Sequence, residues 1–250
     1  MAGELLLAGM AGAVAGSFLA TVAIRDGRGE PVSRGRSRCD RCAVPVPIWA
    51  NVPVASWLWL RGRCGACHAA IDPRHPLLEI ACLLLAVASV ASRPGTAGWA
   101  GAVFGWLLAT LAVIDAGSFR LPDRLVLPLL GSGLAAGAGG LPPPLQDRLW
   151  GAGVGFVALT LLAAAYRRSR GREGLGAGDA KLLAAIGAWL GWQPLPWVVL
   201  AAAVLGLGAT AARAVAEERV TATDRLPLGT LLAMAAWPAW LIGAVAGAGR

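Results

Sequence analysis

Apolar residues run along this chain in long unbroken blocks, near positions 5–24, 76–92, 98–115, 124–140, 149–166, 180–192, 196–212 and 228–247. A helix rises about 1.5 Å per residue, so roughly 20 apolar residues cross a hydrocarbon layer of about 30 Å. Only helices and closed barrels satisfy their own backbone groups in lipid, and these blocks lack the short alternating pattern of barrel strands. The pattern therefore predicts an all-α, polytopic membrane helix bundle of about eight transmembrane helices. The block at 180–192 is interrupted by Gly187 and Gly191 and followed by Pro194, which predicts a short or tilted helix. One long polar stretch divides the chain into a first transmembrane helix at 1–24, an insertion at 25–75 and a bundle at 76–250.

Composition narrows the class further. Of 250 residues 57% are hydrophobic and 14% charged, against roughly 25% charged in ordinary soluble domains. A soluble domain and a disordered chain are both excluded. The net charge of +8 is unevenly placed. Nineteen of the 22 Lys and Arg residues fall in 25–75, in the loops 116–124, 167–175 and 213–227, or at Lys181; Arg93, Arg148 and Arg250 fall on the other side. Basic loops stay in the cytoplasm, so the amino terminus is expected outside and the insertion inside. This bias accounts for the basic balance without nucleic acid, and makes anionic lipid headgroups the natural counter-charge. Met1–Ile24 carries Glu4 and no basic leader region, while Arg25 and Arg28 follow it, so it is expected to remain as a helix and not to act as a cleaved signal. The spacings Gly12 to Gly16, Gly151 to Gly155 and Gly187 to Gly191 predict close helix crossings.

The insertion holds Cys39-Asp40-Arg41-Cys42 and Cys64-Gly65-Ala66-Cys67, with 21 residues between the pairs. Two such knuckles can wrap a tetrahedral Zn²⁺ through four thiolates, as zinc ribbons do. Disulfides compete for the same residues but are rare in the reducing cytoplasm. A closed four-sulfur shell leaves no open coordination position, so structural Zn²⁺ is expected to fold the small zinc-ribbon-like insertion and perform no chemistry. His68 is then an exposed or outer-shell residue, His75 an interfacial one, and Cys82 a small buried apolar side chain.

Acids near or inside membrane spans carry the functional signal, because a carboxylate in hydrocarbon is costly unless it faces the bundle interior or water. Asp115 closes the third block and Asp179 opens the sixth, both at the expected cytoplasmic mouth. Two neighbouring carboxylates share one proton, and such a dyad can activate water while protonating a carbonyl oxygen. The proton belongs to the pair, so general acid and general base stay unassigned between Asp115 and Asp179. Gly176 and Gly178 precede Asp179 and are expected to allow a tight turn and leave room for an extended peptide. The segment lacks the spacing of a phosphate-binding loop. Asp123 is expected to cap the following helix or to support the site. Glu79 is expected near a helix start, within reach of Arg74. Lys181 can steady a carboxylate or snorkel to the interface. Glu217, Glu218 and Asp224 are expected on a solvated loop.

Together these motifs resemble the type IV prepilin peptidase family over nearly the whole chain. The resemblance runs from Gly16-Ser17-Phe18-Leu19 through both cysteine pairs, with Asn51-Val52-Pro53-Val54-Ala55-Ser56-Trp57-Leu58 and Arg61-Gly62-Arg63-Cys64 between them. It continues through Pro73-Arg74-His75-Pro76-Leu77-Leu78-Glu79, Ile114-Asp115 and Leu121-Pro122-Asp123 to Gly176-Ala177-Gly178-Asp179-Ala180-Lys181. It implies an intramembrane aspartyl protease in which Asp115 and Asp179 match the catalytic pair. The implied substrate is a type IV prepilin or a type II secretion pseudopilin, cut after a glycine that ends a basic leader. Members with the cytoplasmic domain also methylate the new amino terminus with S-adenosylmethionine, and Asn51 and Gly62 lie in the segments implied for that activity. Two departures are Ala50, where the family commonly has an acid, and Pro227-Leu228-Gly229-Thr230, where it more often has Phe and a second Pro.

On the residues alone, two other classes stay open. A noncatalytic scaffold with a zinc ribbon as docking module would tolerate Asn at 115 and 179. A proton-coupled transporter would leak substrate or protons in vesicles, though no acid is placed in the middle of a span.

Overall fold

The structure, a computed structural model, describes residues 1–30, 37–171, 175–216 and 225–247. Among the described residues it is helical apart from turns and two isolated bridges. The helices are α1 (Ala2–Gly27), α2 (Ala55–Trp59), α3 (Arg74–Ser92), α4 (Thr96–Ser118), α5 (Asp123–Ala138), α6 (Leu145–Arg170), α7 (Ala177–Leu190), α8 (Leu195–Val215) and α9 (Leu228–Gly247). Each apolar block of the sequence corresponds to one helix, and α2 belongs to the insertion. Among the described residues, α1, α3, α4, α6 and α8 are long and apolar enough to cross a membrane. Large apolar side chains such as Phe18, Leu84, Trp197 and Leu207 stand exposed, as lipid-facing surfaces require. Glu217, Glu218 and Asp224 lie outside the described residues.

The chain forms two compact units, Met1–Thr110 and Leu111–Arg250. In the first, α1 packs along α3. A Cβ at Gly12 would strike the Cys82 carbonyl, and one at Gly16 the Leu78 carbonyl, so both glycines serve backbone contact. Ala8, Ala86, Val90 and Ala102 fill the buried core beside Trp99 and Trp106. The Trp106 indole N–H donates to the Cys82 carbonyl at 2.8 Å, and the Cys82 side chain is buried as expected.

The second unit is built around α7. Every residue from Leu182 to Leu190 is buried, with α5, α6, α8 and α9 packed around the helix. Fourteen residues span only about 21 Å, and a helix enclosed by protein has no need to match lipid thickness. Gly151 and Gly187 meet backbone to backbone, and a Cβ at Gly155 would meet the Leu183 carbonyl at 2.7 Å. Gly191, at φ +76°, ends the helix in a conformation that favours glycine.

Arg148, in the first turns of α6, is not a loop arginine but is 2% exposed. Its guanidinium donates to the carbonyls of Gly133, Leu141, Pro142, Pro143 and Ala188 at 2.8–3.2 Å. It also lies 5.9 Å from the centre of the Trp189 ring. The Ala188 carbonyl lies in the last turn of α7 and those of Leu141, Pro142 and Pro143 follow α5, where helices leave acceptors unpaired and favour a cation, while that of Gly133 lies within α5. Full hydrogen bonding is what makes the buried charge tolerable. Arg148→Met should strand these acceptors and lower stability by about 3 kcal/mol or more, read as a fall in thermal unfolding temperature in detergent. Arg148→Lys should recover only part of the loss, since an ammonium has three donors and no planar fork.

Candidate active site

Asp115 lies in the last turn of α4 and is 4% exposed. Its Oδ2 accepts the Thr230 backbone N–H at 2.7 Å and faces the Thr230 hydroxyl at 3.2 Å. The Thr230 Oγ1 also donates to the Ala112 carbonyl at 2.9 Å. Thr230 belongs to the first turn of α9, whose leading N–H groups have no partner within the helix. Asp115 therefore caps α9 from another helix, with its negative charge at the positive end of the dipole. Gly229 makes the approach feasible, because a Cβ there would stand 3.0 Å from Asp115 Oδ2 and 2.9 Å from Leu121 Cδ1.

Asp179 is half-buried in the first turn of α7. Its Oδ2 accepts the N–H of Gly176, the residue that caps the helix, at 3.0 Å. Both aspartates thus sit at a helix start, one capping its own helix and the other a distant one. Leu121 stands between the glycines beside them: a Cβ at Gly178 would lie 3.0 Å from Leu121 Cβ, as one at Gly229 would lie 2.9 Å from Leu121 Cδ1. Leu121 thus packs against the bare backbone of Gly178. Gly176 has φ −75°, so its value lies in the turn and not in a left-handed backbone.

Asp123 and Lys181 take a different arrangement from the one expected. Pro122 occupies the cap position of α5, and Asp123 makes no side-chain cap. Its two carboxylate oxygens instead accept the Lys181 ammonium at 2.8 and 2.9 Å. Lys181 points neither at Asp179 nor freely into the interface, because this ion pair fixes it across from the start of α5. Glu79 also departs from expectation. Its Oε2 accepts the Val54 N–H at 2.8 Å, while Arg74 forks onto Asp72 at 2.6–3.1 Å.

In the first unit the sulfurs of Cys39, Cys42, Cys64 and Cys67 all lie within 4.8 Å of one another, and this cluster could hold a metal ion. The two knuckles repeat one geometry. Cys39 N–H donates to Val44 O and Ala43 N–H to Cys39 O; Cys64 N–H donates to Ala69 O and His68 N–H to Cys64 O, all at 2.8–3.0 Å. Ala43 and His68 both adopt φ +57°. His68 therefore fills the turn position after the second cysteine and is exposed, outside the cluster. The Cys39 and Cys67 sulfurs are 3.7 Å apart, close to the edge of about 3.8 Å of a tetrahedron with roughly 2.3 Å metal–sulfur bonds. Backbone N–H groups of Cys67 and Ala66 pull the Cys64 thiol down to about 6, towards the thiolate that a metal takes.

Beside the cluster is a cavity of about 970 Å³. Arg25, Asn51, Trp57, Asp72, His75 and Glu79 are among its lining. The Trp57 indole N–H is buried with no hydrogen-bond partner. Gly62, at φ +68°, turns the chain so closely under Trp57 that a Cβ would meet the ring at 3.1 Å. His75 is thus a cavity residue and not merely an interfacial one.

The bacterial Peptidase A24 N-terminal domain matches residues 10–92, and the type IV leader peptidase family matches residues 102–211. The chain belongs to the type IV leader peptidase family. A prepilin leader peptidase/N-methyltransferase of Stutzerimonas stutzeri is 44% identical over 211 residues, covering 83% of this chain and 72% of the relative. Proteins of the same description from Aeromonas salmonicida and Pseudomonas aeruginosa PAO1 are 43% and 42% identical over 83% of the chain and 72% and 71% of their own lengths. No solved structure matches.

Thr230 and Leu121 are the site neighbours that sequence reasoning did not single out as such. The only hint for Thr230 was its departure from the family's usual Pro, and for Leu121 its place in Leu121-Pro122-Asp123. The Asp123–Lys181 pair has side chains 54% and 42% exposed, so water screens it. A double-mutant cycle with Asp123→Asn and Lys181→Met should give a coupling of about 0–1 kcal/mol in thermal unfolding, weaker at high salt.

Proposed function

We propose that this protein is an aspartyl leader peptidase that cuts the basic leader from a type IV prepilin or pseudopilin, with Asp115 and Asp179 as the catalytic pair. What supports the assignment is that two carboxylates of the same unit are each held by a backbone N–H at a helix start, with Leu121 packed against the glycine beside each. One carboxylate takes a proton from water as its oxygen attacks the scissile carbonyl, and the partner carboxyl protonates the carbonyl oxygen. The tetrahedral intermediate then collapses, the C–N bond breaks and the departing amine receives a proton from the pair. Acid and base roles belong to the dyad as a unit.

The charge bias of the loops supports a multi-pass protein of the inner membrane with the cysteine insertion and both aspartates at the cytoplasmic face. A substrate whose hydrophobic helix lies in lipid would present its leader there. The membrane lipid is then a working partner, and nothing in the basic loops calls for nucleic acid. Asp123 supports the start of α7 through Lys181, and Gly176 and Gly178 shape the turn that carries Asp179.

The four cysteines fit structural Zn²⁺, by donor type and by the 3.7 Å sulfur spacing. The adjoining cavity fits S-adenosylmethionine: it is large enough, it offers the unpartnered Trp57 N–H, and it holds Glu79 against a cationic ligand. Ala50, which stands where the family commonly has an acid, lines the same cavity as Glu79, whereas Asp72 there is already forked by Arg74. When bound there, S-adenosylmethionine would supply an electrophilic methyl group for the new amino terminus. Asn51 and Trp57 would hold it, and Gly62 sets the turn on which Trp57 rests.

Cleavage of a prepilin with a glycine-terminated leader in membranes tests the dyad. Asp115→Asn and Asp179→Asn should each lower the rate by about 10²–10⁴-fold, while Asp123→Asn stays active. A scaffold would be indicated if both single variants cut at the wild-type rate. The paired change Cys64→Ser with Cys67→Ser should release zinc, measured by metal analysis, and abolish transfer of labelled methyl groups while leader cleavage persists.

A further inference from the structure

Thr230 makes contacts that the cleavage chemistry does not itself require. Its N–H and hydroxyl converge on a single oxygen of Asp115, Oδ2, at 2.7 and 3.2 Å. The hydroxyl is tied in addition to the Ala112 carbonyl at 2.9 Å, one turn before Asp115 on α4. A β-branched side chain has few rotamers, so the hydroxyl is held between these two acceptors.

An N–H can only donate, so the lone pair it meets must stay free of a proton. Oδ2 is thereby kept as an acceptor, and the carboxylate cannot rotate about Cβ–Cγ without breaking both contacts. Oδ1 takes part in neither contact, which leaves it as the oxygen for proton transfer. Resting on the reading of Asp115 as catalytic, we propose that Thr230 is a positioning residue. It fixes which Asp115 oxygen serves the reaction and holds it through changes of protonation. The hydroxyl suits both states of the acid. With Asp115 ionised it donates to Oδ2, and with Oδ1 protonated Oδ2 stays an acceptor for the N–H while the hydroxyl is shared between Oδ2 and Ala112 O.

The groups around this carboxylate agree with that role. Leu121 from the α4–α5 connection packs beside it, and Gly229 removes the side chain that would crowd Oδ2. Thr230 is thus the hydroxyl that meets Asp115, reaching it across 115 residues of sequence.

The test is steady-state cleavage of a prepilin by full-length protein in detergent or vesicles, comparing Thr230→Val, Thr230→Ala and Thr230→Ser with wild type and Asp115→Asn. Val keeps the shape and the N–H but removes the hydroxyl. It should lower kcat by roughly ten- to a hundredfold with KM little changed, as mispositioning of a reacting group does, and Ala should behave likewise. Ser should restore most of kcat, which lost packing alone would not explain. Should Val unfold at clearly lower temperature, the ratio of kcat between the Ser and Ala variants decides in its place. Wild-type kcat in Val or Ala while Asp115→Asn is inactive would overturn the positioning role and leave the dyad standing. A Ser variant as slow as Val would overturn it in favour of packing. Full activity in Asp115→Asn would instead overturn the catalytic reading on which the inference rests.

Discussion

Enclosure of α7 by protein on every face is the constraint on which the second unit depends. The helix carries Asp179 in its first turn and packs its last turn against Arg148 and Leu129. Close enclosure needs bare backbone, and Gly133, Gly151 and Gly155 supply it on α5 and α6. Without a hydrophobic force between helices in lipid, such contacts and internal hydrogen bonds hold a bundle together. A side chain at Gly151 or Gly187 would push α6 away from α7 and disturb the helix whose start presents the acid.

The two acids solve one electrostatic problem in two ways. A carboxylate in a membrane protein needs donors, and the first turn of a helix has N–H groups that need acceptors. Asp179 uses the start of its own helix, whereas Asp115, at the end of α4, borrows the start of α9. A helix C-terminus is an unfavourable place for an anion, so Asp115 is tenable there because α9 brings donors to it. This gives α9 a task beyond packing, and it explains why Gly229 and Thr230 both stand where they do.

Much of this was legible in the sequence, because membrane helices announce themselves by block length and small-residue spacing. Gly12, Gly16, Gly151 and Gly155 fall at helix crossings as their spacing suggests, and the cysteine pairs meet in space. What stayed hidden were contacts between residues far apart in sequence. The Asp123–Lys181 pair joins two helix starts 58 residues apart, and Thr230 meets Asp115 over 115. No local pattern marks such partners. Arg148 shows the same limit: a count of charges does not distinguish a buried arginine that bonds carbonyls from a solvated one.

The insertion follows a different physical logic from the bundle. From residue 37 to residue 75 no described residue is fully buried, so this segment has no apolar core of its own. Short domains of that kind depend on metals or crosslinks for their fold. Here the repeated knuckle geometry brings four sulfurs together, and a metal bound to thiolates contributes folding free energy directly. The same absence of a core lets the segment surround a large cavity without being filled by its own side chains. Trp57 shows the consequence, since its ring packs on Gly62 while its N–H is left without a protein acceptor at the wall of that cavity. A sulfur cluster that could hold a metal ion and an unfilled cavity are therefore two results of one sequence property, a polar segment with too little apolar surface to collapse on itself.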